Sequence, residues 1–518
     1  MPSQTLSHRQ ILLIYSGLML GMLLAALDQT IVSNALPTIV GELGGLNKLS
    51  WVVTAYLLTS TISQPIYGKL GDLYGRKRLF QFAIVIFLIG SALCGISQNM
   101  TQLIGFRGVQ GLGAGGLMVG ALSIIGDIVP PRERGRYQGY MGGVFALASV
   151  VGPLIGGFFV DNLSWRWVFY VNLPVGALAL AVIAVVLQGT TERRSHRIDY
   201  EGAVALTLGA GLITLALTWG GTEYPWGSWR VIAALAVGFA AVAGFIAIEH
   251  RAAEPLIPLR LFRNGIFNTS SLMAFLVGMA MFGALVYLPL FFQAVHEVSA
   301  TQSGLWLLPL MGGLLAASIV SGRLISKLGR YRAFPIAGTV LIAVGMWLLS
   351  RIGVSTSYVF IATGMAVLGV GLGLVMPVLV LAVQNAVPAS DLGTATSAST
   401  FFRSIGGVFG VAIFGAIFAN RLGFWLPRDL PASAHLSARA ASKLLRSTPA
   451  QLEKLPPAIH TGLIDAFASS LHTVFLWAVP FGIAAFLVSL LLREVPLRER
   501  GAAPVSAAAA DASGEAAT

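Results

Sequence analysis

The chain has 518 residues, of which 56% are hydrophobic and only 10% are Asp, Glu, Lys or Arg. Soluble domains carry about 25% charged residues and rarely exceed ~250–300 residues around one core, so a soluble enzyme or binding module is excluded, and the single Cys94 excludes a disulfide scaffold. The net charge of +12 is no nucleic-acid signal, because the basic residues sit between apolar runs.

Apolar runs long enough to cross ~30 Å of hydrocarbon as helices recur along the whole chain. In order they are 11–36, 51–68, 79–97, 102–126, 137–160, 167–188, 202–219, 230–248, 266–292, 303–325, 334–350, 358–383, 396–418 and 470–492. They predict an all-α polytopic membrane protein with about 14 transmembrane helices. The first run continues into Asp28 and Asn34 rather than into a small-residue cleavage site, so it reads as retained span 1 and not as a signal peptide. Alternate connections hold most of the Lys and Arg, including Lys69, Arg76, Lys77, Arg78, Arg132, Arg134, Arg136, Arg323, Lys327, Arg330 and Arg332. That bias predicts a multi-pass protein of the cell (plasma or inner) membrane with both termini cytoplasmic. Spans 7 and 8 are joined by a short outer segment with Tyr224, Trp226 and Trp229, an aromatic-anchored hairpin. A long outer loop is expected over 419–469 and a disordered cytoplasmic tail over 496–518.

Gly68-Lys69-Leu70 leading to Gly75-Arg76 recurs as Gly322-Arg323-Leu324 leading to Gly329-Arg330, an offset of 254 residues. The same offset carries the start of span 1 onto span 9, and Gly152 and Gly156 onto Gly406 and Gly410. The chain therefore divides into an N-terminal six-helix bundle (1–190), an inserted helix pair with linkers (191–264) and a C-terminal six-helix bundle (265–495). A parallel repeat with a binding site at its interface is a transporter architecture.

Asp28 lies about 17 residues into span 1, and Arg107 about five residues into the oppositely directed span 4, so both fall at a similar depth in the outer part of the membrane. Burial favours the neutral acid and a guanidinium favours the carboxylate, a competition that a protonation cycle can use. The pair serves proton coupling, or it is a fixed bridge that only holds the bundle. Asp72, Arg76 and Asp127 cluster at inner span ends, where carboxylates can pair with guanidinium groups and cap a facing helix. Gly152-Pro153 with Gly156-Gly157 leaves a flank without side chains for close helix approach, as a hinge or seal or as ordinary packing. Arg403, about seven residues into span 13, faces an anionic group or aqueous cavity, or is satisfied by carbonyls and Asp391. Gly111-Leu112-Gly113-Ala114-Gly115-Gly116 fits a dinucleotide pattern but lies inside an apolar helix, where helix packing accounts for it. No G-x-x-x-x-G-K-[ST] stretch occurs and the seven histidines are scattered, so neither an ATP site nor a metal or other cofactor is expected.

Gly68-Lys69-Leu70-Gly71-Asp72-Leu73-Tyr74-Gly75-Arg76-Lys77-Arg78 resembles the signature of the loop between helices 2 and 3 in the major facilitator superfamily. Arg107, Gln110, Gly111 and Gly113 are similar to its helix-4 signature, and Gly152-Pro153-Leu154-Ile155-Gly156-Gly157 to its antiporter signature in helix 5. Leu27-Asp28-Gln29-Thr30-Ile31-Val32 with Asn34-Ala35-Leu36-Pro37, and Trp165-Arg166-Trp167 with Phe169, Asn172 and Pro174, resemble the fourteen-span drug/proton antiporter branch. The resemblance implies that Gly68, Asp72, Gly75, Arg76 and Asp127 latch the two halves through span 13. It implies a proton-coupled exporter of amphipathic small molecules, working by alternating access and driven by the proton gradient. Asn34, Gln110, Phe282, Tyr287, Trp306 and Arg403 are the expected cavity residues, the aromatics otherwise facing lipid or neighbouring helices. The expected partners are protons, small amphipathic substrates and the lipid bilayer, with no nucleic acid; no protein partner is assigned. Export of a lipid or one dedicated metabolite is the alternative within transport. A non-transporting sensor on the same scaffold is the alternative of another class, and no enzyme activity is expected.

Overall fold

The computed structural model of the protein describes residues 8–43, 49–187, 199–221, 224–430 and 456–497. The expected tail over 496–518 lies almost entirely outside the described residues. Sixteen α-helices carry the described chain: α1 (His8–Leu43), α2 (Leu49–Tyr74), α3 (Arg76–Gly95), α4 (Met100–Ile128), α5 (Pro131–Asn162), α6 (Trp167–Tyr170), α7 (Asn172–Val186), α8 (Tyr200–Trp219), α9 (Trp229–Glu249), α10 (Gly265–Val295), α11 (Ala300–Trp306), α12 (Leu308–Leu328), α13 (Ala333–Leu349), α14 (Tyr358–Ala386), α15 (Leu392–Asp429) and α16 (Pro457–Leu490). Each long apolar run closes its backbone hydrogen bonds on itself, as hydrocarbon requires. Several starts are set by a polar side chain that accepts from the first turn: Asn99 from Gln102, Asp199 from Gly202, Ser228 from Val231 and Ser299 from Gln302.

Among the described residues, twelve stretches are long and apolar enough to span a membrane. Two of the fourteen expected spans fall outside that count. α13 has only 17 residues, and α2 interleaves Thr, Ser and Gln with its apolar positions before Lys69 and Asp72. The long outer loop expected over 419–469 is corrected: α15 runs on to Asp429 and α16 starts at Pro457, with 431–455 outside the described residues. Arg421, Arg428, His460 and Asp465 make these extensions polar enough to escape a hydropathy reading. They persist as helices because Leu422, Leu426, Leu463 and Phe467 bury together and Gly462 seats against the Asp429 backbone.

Positions 254 residues apart agree in conformation at the turns and diverge elsewhere. Gly75 and Gly329, the paired turn glycines, both adopt positive φ, at 93° and 69°, which side chains on Cβ disfavour. Gly152, however, lies 21 residues beyond Pro131 while Gly406 lies 14 beyond Leu392. Gly152 and Gly156 accordingly receive Thr30 and Ile31 of α1, whereas Gly406 and Gly410 receive Phe275 and Met279 of α10.

The pair α8–α9 closes on itself through Gly209 and Gly238. Leu206 and Ala210 of α8 share an apolar cluster with Ile62 of α2 and Ala395, Ala398 and Phe401 of α15, so the pair lies along the seam between the halves. Its exit segment crosses the same seam: Glu254 pairs with Lys69 at 2.8 Å, and Arg260 holds both Asp391 oxygens at 2.8 and 3.0 Å.

Candidate functional site

Asp28 sits where five helices converge, and its carboxylate is fully buried. Arg107 of α4 donates to Asp28 Oδ2, and Gln110 Nε2, one turn further on, donates to Asp28 Oδ1 at 2.8 Å. Asn172 Nδ2, at the start of α7, donates to the same Oδ1 at 3.1 Å and to Ser91 Oγ of α3 at 2.9 Å. Arg107 also donates to Gln110 Oε1 at 2.8 Å and lies 4.1 Å over the Tyr56 ring of α2. Tyr56 is anchored by its own hydrogen bond to the Ala25 carbonyl at 3.1 Å. Ions in this setting persist only when nearly every lone pair and proton has a partner. One gap remains: Asn172 Oδ1 is buried with no donor among the described residues.

Small residues let the network close. At Gly90 a Cβ would strike the backbone of Gln110, so the approach of α3 to α4 depends on that glycine. Gly111, Gly113, Gly115 and Gly116 likewise meet the backbones or side chains of α2 and α3, which makes the dinucleotide-like run a packing surface.

The structure brings the sequence-predicted Asp28 and Arg107 together. Gln110, expected in a substrate cavity, makes its hydrogen bonds within this cluster, to Asp28, Arg107 and Ser91. Tyr56 and Ser91 were not anticipated, and Asn172 was noted only as a motif residue. A glutamine three residues after an intramembrane arginine shares its helix face, a signal that could have placed Gln110; an isolated serine offers none.

At the end of the molecule with the α2–α3 turn, Asp72 accepts from Gly393 N at 3.1 Å, Thr394 N at 2.7 Å and Thr394 Oγ1 at 2.9 Å. A carboxylate of one half thus caps the first turn of α15 in the other, the favourable end of its dipole. Arg76 holds Asp72 at 2.7 Å, Asp127 at 2.5 Å and the Ser123 carbonyl at 2.8 Å. Gly68 is in place because a Cβ there would strike Ser397 of α15. Gln384 of α14 donates to the Leu122 carbonyl at 3.1 Å and accepts from Gln138 of α5 at 3.1 Å, so this end is closed across the seam.

At the opposite end Trp165 Nε1 and Arg166 Nη1 donate to Glu42 of α1 at 2.7 and 2.5 Å. These hydrogen bonds hold the Glu42 carboxyl below the usual range. In the helix-5 motif Gly152 and Gly156 make close approaches, whereas a Cβ on Gly157 would meet nothing within 4 Å among the described residues. The side chains of Pro153 and Asn34 lie outside the described residues.

Of the two readings open for the aromatic side chains, this structure shows packing against neighbouring helices. Tyr287 is buried and donates to the Val411 carbonyl at 3.1 Å. Trp306 packs among Phe292, His296 and Tyr358, with the Tyr358 ring centroid 4.8 Å away. Phe282 is half-buried against Gly407. These rings serve the C-terminal core because α10, α11, α14 and α15 close on one another there. Arg403 is further along its helix than expected, 11 residues from Leu392, and its proposed partner Asp391 is taken by Arg260.

Residues 18–411 match the family model described as Major Facilitator Superfamily. An uncharacterized MFS-type transporter of Mycobacterium tuberculosis is 43% identical over 487 residues, covering 94% of this chain and 70% of that one. The multidrug transporter protein MdtP of Bacillus subtilis is 39% identical over 511 residues, covering 95% and 94%. Among solved structures the proton:xylose symporter XylE shares the fold, with a TM-score of 0.64, 14% identity and coverage of 95% and 98%.

Proposed function

The chain belongs to the Major Facilitator Superfamily, and on that premise we propose that it is a proton-coupled exporter of small amphipathic molecules that works by alternating access. It is a transporter rather than an enzyme. The observation that carries the coupling is the Asp28 network, a carboxylate buried at mid-helix with one guanidinium opposite it. Protonation of Asp28 removes its charge and frees Arg107 to lean on Gln110, the Val52 carbonyl and Tyr56. Five helices meet at that point, so the change in charge alters how they pack. The Asp72–Arg76–Asp127 cluster is the cytoplasmic latch, and its release opens the closed end. An inward proton supplies ~2.3 kcal/mol per 100 mV for each cycle. The pair α8–α9 lies outside the transport path and rides along the seam.

The multidrug relatives support a broad cargo range for this chain. The test is transport in proteoliposomes with an imposed proton gradient. Asp28→Asn is expected to lose uphill accumulation of an amphipathic dye while keeping the helical spectrum of the native protein. Full gradient-driven accumulation by that variant would sink the coupling role.

A further inference from the structure

Arg403 stands apart from every other charge placed deep in the bundle. It lies about 16 Å along α15 from Leu392, at ~1.5 Å per residue, close to the middle of a ~30 Å bilayer core. It is half-buried, and among the described residues its side chain makes no ion pair, hydrogen bond or ring contact. The carboxylates that could neutralise it are engaged: Asp391 by Arg260, Asp72 by Arg76, and Asp28 by Arg107. It lines a small cavity between α10, α14 and α15 together with Val277, Met376, Leu379, Ser399 and Thr400. Ser399 is buried there, and its hydroxyl has no partner among the described residues. On α10, Ser270 and Ser271 lie one turn before the cavity-lining Ala274, and both carry buried, unpartnered hydroxyls. Apart from Thr400, whose hydroxyl donates to the Thr396 carbonyl, the rest of the lining is apolar. Cations at this depth are costly and are ordinarily paired. A guanidinium left open beside free hydroxyl donors and an apolar wall is complementary to an anion carried on an apolar body.

We propose that Arg403, with Ser399 beside it, is the subsite for the anionic head of an amphipathic cargo, so that the favoured cargo carries one carboxylate. This rests on the exporter reading and names its substrate class. The cavity as it stands, about 10 Å³, admits only a water-sized group, so the fork of Arg403 takes the carboxylate oxygens there and the apolar body follows along Met376, Leu379 and Val277 once the helices part. The same anionic chemistry is offered by a lipid headgroup, and the experiment separates the two sources.

The full-length protein in phosphatidylcholine vesicles is titrated with pyrenebutyrate and with pyrenebutyl-trimethylammonium, two probes with one apolar body and opposite heads. Wild type is expected to bind the carboxylate about tenfold or more tighter, the scale of one buried charged hydrogen-bonded contact. Arg403→Gln loses that preference without weakening the cation, and Arg403→Lys retains part of it. Equal binding of both probes by wild type, or parallel loss of both in Arg403→Gln, overturns the subsite. If Arg403→Gln does not fold, the wild-type preference and the partial preference of Arg403→Lys decide. Displacement of pyrenebutyrate from wild type by added phosphatidylglycerol makes the lipid headgroup the occupant and overturns the cargo assignment. Proton-driven flux of pyrenebutyrate is read in the same vesicles. Charge-selective binding without flux counts against the exporter reading and leaves the subsite standing.

Discussion

In the N-terminal half, Asp28 and Arg107 meet inside a ring of partners from α1, α2, α3, α4 and α7, whereas the positions 254 residues later are Phe282 and Ile361. The contrast repeats at the turns: Asp72 caps α15, but the corresponding residue is Ser326, whose hydroxyl donates to its own helix at Gly322. Among the described residues, the fully buried ion pair lies in the N-terminal half. The other half has an aromatic core and, near mid-membrane, a solitary Arg403. Buried charge is tolerable where several helices supply hydrogen bonds, and among the described residues the first half gathers them around Asp28.

The contrast is broken most severely by Arg107→Ala, which leaves Asp28 buried without its cation at a cost of about 3–5 kcal/mol. Thermal unfolding in detergent should show that loss, while Ile361→Val at the matching C-terminal position costs only about 0.5–1.5 kcal/mol. Similar shifts for the two variants would mean that the halves are energetically alike. Next in size, Asp72→Ala removes charge-assisted contacts worth about 1.5–3 kcal/mol and should move spin-label distances between the bundles toward opening at the latch end. Ser326→Ala should leave those distances unchanged. Gly152→Ala forces a methyl group onto Thr30 and should cost about 1–3 kcal/mol. Gly157→Ala, with open space at its Cβ, should be silent. The smallest effect sharpens the picture at the far end of the N-terminal half. Because the folded-state pKa of Glu42 is lowered by Arg166 and Trp165, its contribution is present above the unfolded value of about 4.3 and is lost as pH falls through the folded value. Glu42→Gln should therefore melt slightly below wild type at pH 7, and the gap should vanish under more acidic conditions. A gap that widens on acidification would reverse the sign of the interaction.

The sequence by itself determined where most spans run, that Asp28 and Arg107 share a depth, and that Asp72, Arg76 and Asp127 cluster at inner span ends; that this turn meets span 13 came from the family resemblance. Those features are legible because a charge in an apolar run, or a glycine-punctuated basic turn, stands out against its surroundings. Only the tertiary structure decided that Gln110 serves Asp28, that Tyr287 and Trp306 pack in the C-terminal core, that a Cβ on Gly157 would meet open space among the described residues, and that Arg403 has no partner among the described residues. It also decided that α15 and α16 extend beyond their apolar runs, through burial of Leu422, Leu426 and Phe467 that polar neighbours conceal in the sequence. The physical reason lies in the solvent. A membrane helix is apolar on the faces it turns to lipid as well as on those it packs, so its pattern records depth but not rotation, and rotation selects the neighbours of each side chain.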